Sequence, residues 1–128
     1  MKVVIAGSRS ITDEKLVFAH ILSSPFEITE VVSGTAKGID KLGEKWANEH
    51  NIPIKRFPAE WKNLTKEPLK IINGPYGKYN ALAGFNRNID MANYADAAII
   101  LIQNNSSGSE HMLKEMEKLE KPIHLLRI

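Results

Sequence analysis

The stretch SGTAKGID, residues 33–40, separates the apolar run ITEVV from the amphipathic run KLGEKWANEH. The first run is short enough for a strand. The second places Ile39, Leu42, Gly43, Trp46 and Ala47 at i, i+3, i+4, i+7 and i+8, which is one buried face of a helix. Gly34 and Gly38 punctuate the passage between them, and glycine supplies the positive φ or tight turn that such a passage requires. A strand feeding a helix through a small-residue turn is the crossover that parallel strands need.

The same alternation runs outward in both directions. Short apolar runs occur as KVVIA, TEVV, PIKRF, AAIILI and PIHLL, with helical spacing at about 12–23, 38–50, 81–94 and 107–120. Five strands alternating with helices predict an α/β domain with a five-stranded parallel sheet, in three layers with helices on both faces. A doubly wound sheet in the order 3-2-1-4-5 sets the first and fourth strands side by side. Residues 58–84, with three prolines, three glycines and no sustained period, read as a long loop at about 58–80. Loops of that length are uncommon and are often functional lids or binding loops; a surface insertion is the plain alternative. With no repeat, linker or second domain in view, residues 1–128 read as one domain.

Composition narrows the function. A chain of 128 residues and 14.3 kDa is one domain's worth and buries roughly two-thirds of its unfolded surface. Cysteine is absent, which excludes disulfides, thiolate metal sites and a cysteine nucleophile, and fits a reducing, cytoplasmic setting. Met1 leads straight into an apolar strand with no charged-then-apolar leader, and no apolar run approaches the ~18 residues of a membrane span. The 17 basic and 15 acidic residues are interspersed, with a formal net charge of +2. Long nucleic acid is held by neutralising many phosphates at once and gains little support from this balance, whereas a small anion needs only a local patch.

Ligands of parallel α/β sheets bind outside the carboxyl ends of the strands. Those ends carry GSRS (7–10), SGTAKGID, PAEW with the long loop, and QNNSSGSE (103–110), all small or polar. The opposite ends, SSPFEI and YADAA, carry little chemistry beyond Asp96, a turn residue. Nucleotide fingerprints fail when tested there. Gly34 and Gly38 are separated by three residues where a P-loop has four followed by Lys and Ser/Thr, and no G-x-G-x-x-G follows the first strand. The four histidines are isolated, so neither a metal nor another cofactor is implied.

Chemistry still assigns roles. Gly34, Thr35, Ala36 and Gly38 present backbone N–H groups at a helix start, an arrangement that holds phosphate by N–H donation and helix dipole. Asp40 can accept from a ribose hydroxyl, or serve only as a first-turn carboxylate favoured by that dipole. Gly7, Ser8 and Arg9 follow the first strand, where an arginine reaches a ligand phosphate. Ser107, Gly108 and Ser109 open the last helix and act as phosphate donors, caps, or both. Trp61 is a stacking surface for a base or a packing residue.

The segments GSRS, SGTAKGIDKLGEKWA, FPAEW, AGFNRNIDMANYADAAI and SSGSEHM resemble, in order and spacing over nearly the whole chain, the YspA/YpsA-related SLOG proteins. These are similar at greater distance to the LOG phosphoribohydrolases and to the DNA-processing protein DprA. The resemblance implies a Rossmann-like domain, a bacterial or phage setting, a homodimer, and a pocket for a nucleoside phosphate or ADP-ribose-like ligand. It also implies that Arg87 and Asn88 of FNRNID stand at the pocket, where the residues alone read as a solvated helix face. LOG enzymes pair a third-helix arginine with acidic residues after a glycine-rich turn. Arg87 matches the arginine, but the acidic positions fall on His111 and Met112, with Glu110 one residue early. Glu60 in PAEW is the other carboxylate near the edge. A nucleotide-binding sensor or sequestering module is therefore the first reading. An N-glycosidic nucleotide hydrolase using Arg87 with Glu60 or Glu110 is the second, and DprA-like DNA binding the third.

Overall fold

The computed structural model describes residues 1–104 and 106–128; Asn105, in the QNNSSGSE segment, lies outside them. The elements are β1 (Lys2–Gly7), α1 (Glu14–Ser23), β2 (Glu30–Ser33), α2 (Ile39–Glu49), β3 (Ile54–Arg56), β4 (Ile71–Gly74), β5 (Gly77–Asn80), α3 (Ala83–Tyr94), β6 (Ala97–Ile102), α4 (Ser107–Lys118) and β7 (Ile123–Arg127). The main sheet runs β3-β2-β1-β6-β7 with every pairing parallel. Counting only its five strands, that is the 3-2-1-4-5 order of a doubly wound, Rossmann-like sheet.

Strand alternation sends β1 side chains to two separate cores. Val4 and Ala6 pack with Met91, Met112 and Met116 of α3 and α4. Val3 and Ile5 pack with Val17, Ile21 and Ile39 on the side of α1 and α2. The run AAIILI is buried at every position, as expected of a central parallel strand covered on both faces. Each of its Ile and Leu side chains contributes about 1.5–3 kcal/mol of burial. Helix α1 starts two residues later than its spacing predicts, because Asp13 is the N-cap and its carboxylate accepts from the Leu16 N–H at 3.2 Å.

The long segment after β3 is not a plain loop. It contains a separate antiparallel hairpin, β4 with β5, in which Ile71 pairs with Asn80 and Gly74 with Gly77. Asn80 fastens it to the body. Its Oδ1 accepts from Lys70 and Leu82 N–H groups, both at 3.0 Å, and its own N–H donates to the Trp61 carbonyl at 2.7 Å. Four-residue strands broken by NGPYG carry too little alternation to stand out from a loop. No helix among the described residues is long and apolar enough to cross a membrane.

Candidate functional site

Gly7 of β1 pairs with Leu101 of β6, so the chain leaves both strands side by side. Ser8 joins the two exits: its N–H donates to the Leu101 carbonyl at 3.0 Å, and its Oγ accepts from the Gln103 N–H at 2.9 Å. The buried Ser8 hydroxyl is thereby a structural tie. Above this junction lies a cavity of about 610 Å³ with Ala6, Gly7, Met91 and Met112 among its lining residues. Arg9, Ala36, Asp40, Trp61, Arg87 and Asn88 also line it, as do Ser107, Gly108 and Ser109 of the first turn of α4.

The turn SGTAKGID stands partly behind this lining. Thr35 holds φ at 64°, a left-handed conformation uncommon for a β-branched residue and costing about 1–3 kcal/mol. Its N–H donates to Ser33 Oγ at 3.1 Å, and the Ala36 N–H donates to Asp40 Oδ2 at 3.0 Å. Those two donors are spent within the protein. Gly38 has φ 76°, and a Cβ there would come within 2.8 Å of the Ser8 and Arg9 backbone. A Cβ on Gly34 would lie 2.8 Å from Asp40 Oδ2 and 2.9 Å from Arg87 Nη1, and the Gly34 carbonyl accepts from Arg87 Nη1. Gly34, Thr35 and Gly38 accordingly do not line the cavity. They hold Asp40, Arg87 and the Arg9 turn in place.

Arg87 extends from α3 to that turn, and Asn88 fixes its root. Arg87 Nε donates to Asn88 Oδ1 at 3.1 Å, while Asn88 Nδ2 donates to the Gly108 carbonyl at 3.1 Å and lies 3.2 Å from His111 Nδ1. Asn88, though in the cavity lining, thus has its hydrogen-bonding groups engaged and ties α3 to α4. Burial pulls the Arg87 guanidinium below its ordinary range, with Asp40 opposing that effect. Burial also pushes the Asp40 carboxyl up from 3.8 to about 6, against the Ala36 N–H and Arg87, which favour its ionised form. At the opposite wall, the backbone N–H groups of Ser107 and Gly108 have no backbone acceptor outside α4 among the described residues, and a Cβ on Gly108 would meet open space. Ser109 is buried, with its Oγ 2.9 Å from Ser106 Oγ.

The two carboxylates singled out in the sequence fall elsewhere. Glu110 pairs with Arg127 on the flank of α4 facing β7, which holds its carboxyl below the usual range. Glu60 lies 3.8 Å from Lys66 in a second, smaller cavity. Asp40 is the one carboxylate among the described residues lining the large cavity. Phe85 and Met91, which sequence reasoning passed over, line it as well. They stand at i−3 and i+3 from Asn88, so helical spacing applied to the FNRNID motif identifies them. Phe85 stacks on His111 with ring centroids 4.3 Å apart.

A doubly wound α/β domain with a polar cavity over adjacent strand exits is a Rossmann-like architecture. The family profile described as YspA, cpYpsA-related SLOG family matches residues 1–64, half of the chain, and the protein belongs to that family. Among solved structures, the X-ray structure of DNA processing protein A (DprA) from Streptococcus pneumoniae is similar, with a TM-score of 0.56 at 16% sequence identity. The match covers 95% of this chain and 57% of that one, so the present chain spans little more than half of its length. At that identity the likeness is one of fold. Comparison with curated proteins gives no match.

Proposed function

We propose that the protein binds a nucleotide or nucleotide-derived ligand at the carboxyl edge of the sheet and serves as a sensor or sequestering module. The supporting observation is convergence: Arg9, Arg87 and the Ser107 and Gly108 N–H groups at a helix N-terminus share one cavity. Two guanidinium groups and a helix start provide the counter-charge and donors that phosphate needs, with no metal required. Trp61 and Phe85 supply aromatic faces for a base. A volume of about 610 Å³ suits a ligand of nucleotide size. On this reading the phosphate sits at SSGS instead of SGTAKGID, because the Thr35 and Ala36 donors are already used.

Titration calorimetry with a panel of nucleoside phosphates, with and without chelator, tests this. Binding should persist in chelator. Arg9→Ala and Arg87→Ala should each weaken it about 10- to 100-fold, from charge-assisted hydrogen bonds worth ~1.5–3 kcal/mol. Binding that vanishes with chelator, or survives both substitutions unchanged, overturns the reading.

One observation favours a second reading, N-glycosidic hydrolysis. Asp40, a buried carboxylate displaced toward neutrality, lines the cavity beside Arg87, as a general acid or base would. Release of free base from a nucleoside monophosphate, followed by chromatography and abolished in Asp40→Asn, would establish it.

A further inference from the structure

One wall residue of the large cavity is at odds with a phosphate ligand. Asp40, only 7% exposed, is the one carboxylate among the described residues that line this cavity, and Arg9 and Arg87 line it too. Yet Asp40 forms no ion pair among the described residues. Its Oδ2 accepts from the Ala36 N–H at 3.0 Å, whereas its Oδ1 has no hydrogen-bond partner among them. Gly34 lies between Asp40 and Arg87: a Cβ there would press on both Asp40 Oδ2 and Arg87 Nη1, and its carbonyl accepts from that Nη1.

A phosphate entering this cavity meets conflicting charges. The two guanidinium groups and the Ser107 and Gly108 N–H groups attract it, while an ionised Asp40 repels it and presents acceptors to another acceptor. A single proton on Oδ1 removes both faults. The negative charge disappears, Oδ2 keeps its bond from Ala36, and the new O–H becomes a donor toward ligand oxygen. Neighbouring charged groups leave that proton to Asp40. Arg9 from the β1–α1 turn and Arg87 from α3 are cations already. Glu44, one turn along α2, is engaged by Ser33 Oγ and by Arg56 Nε and Nη2, and does not line the cavity. His111 of α4 stacks on Phe85 and lies 3.3 Å from Glu115, outside the lining. Burial raises the Asp40 carboxyl to about 6 before any ligand arrives, and a nearby anion raises it further.

We propose that phosphate binding in the large cavity is proton-coupled: the ligand enters with one proton, taken from solvent onto Asp40 Oδ1, so that the site loads in mild acid and releases as pH rises. This rests on the nucleotide reading of the cavity and adds the regulation of that same site. The gain in affinity is complete below about pH 6 and is lost as pH climbs above it. Titration calorimetry with AMP, ADP, cyclic AMP and NAD, run near neutral pH in buffers of different ionisation heat, counts the protons exchanged. Binding should take up roughly half a proton or more per ligand, and affinity should be about five- to tenfold higher at pH 6 than at pH 8. Asp40→Asn, which stays uncharged, should abolish both effects for cyclic AMP and NAD. The terminal phosphates of AMP and ADP titrate near pH 6 themselves, so for these two the natural protein is read against Asp40→Asn with the same nucleotide. Binding without proton uptake, or uptake that persists in Asp40→Asn, overturns the inference and leaves the nucleotide reading in place. No binding by any of the four compounds overturns both.

Discussion

Replacing Asp40 with Asn should stabilise the protein at neutral pH. Asp40 is 7% exposed, and burial raises its carboxyl from 3.8 to about 6; Glu44 adds to the rise, while Ala36, Arg87 and Arg9 oppose it. The folded state therefore holds this proton more tightly than the unfolded chain does. That favourable contribution is complete below about pH 4 and is lost as pH rises through about 6. A displacement of roughly two pH units corresponds to about 3 kcal/mol by which the ionised group disfavours folding at pH 7.5. Asparagine keeps an acceptor for the Ala36 N–H but removes the counter-charge of Arg87, which returns part of the gain. The variant should thus exceed the natural protein by about 1–3 kcal/mol at pH 7.5 and match it near pH 4. Urea denaturation followed by circular dichroism at pH 4.5, 6 and 7.5 measures the difference. His20 and His111, both lowered by burial, titrate alike in the two proteins and cancel. A stability difference that is flat with pH, or larger in acid, would refute the reasoning.

Gly34→Ala should displace Asp40 and Arg87, because the new Cβ lies 2.8 Å from Asp40 Oδ2 and 2.9 Å from Arg87 Nη1; nucleotide affinity should fall about tenfold in calorimetry. Gly38→Ala should instead cost about 2–3 kcal/mol of stability in denaturant melts, since its Cβ meets the Ser8–Arg9 backbone at positive φ. Gly108→Ala, facing open space at a helix start, should leave stability within about 0.5 kcal/mol or raise it. Light scattering should show a homodimer of about twice the 14.3 kDa chain mass, and a monomeric particle at micromolar concentration would remove that expectation.

The sheet was legible because its central strands are uninterrupted apolar runs with amphipathic helices between them, and such a pattern has few topologies open to it. From that order alone the GSRS and SSGS exits become neighbours. The SGTAKGID turn was less legible. A glycine shows that a side chain is missing but not what fills the space, and here Arg87 and the Ser8–Arg9 backbone fill it. The small cavity was hidden for a related reason. Ala83, Asn86, Arg87 and Asp90 recur at i, i+3, i+4 and i+7, but three of them are polar, so the stripe reads as a solvated face unless the hairpin segment is known to cover it.

Backbone amide resonances give the most direct test of where phosphate is held. Titrating a ¹⁵N-labelled sample with a nucleotide that binds in calorimetry should move the Ser107 and Gly108 amides most. The Thr35 and Ala36 amides, bonded to Ser33 and Asp40, should stay nearly fixed. Large shifts at Thr35 and Ala36 with Ser107 and Gly108 unmoved would contradict the account.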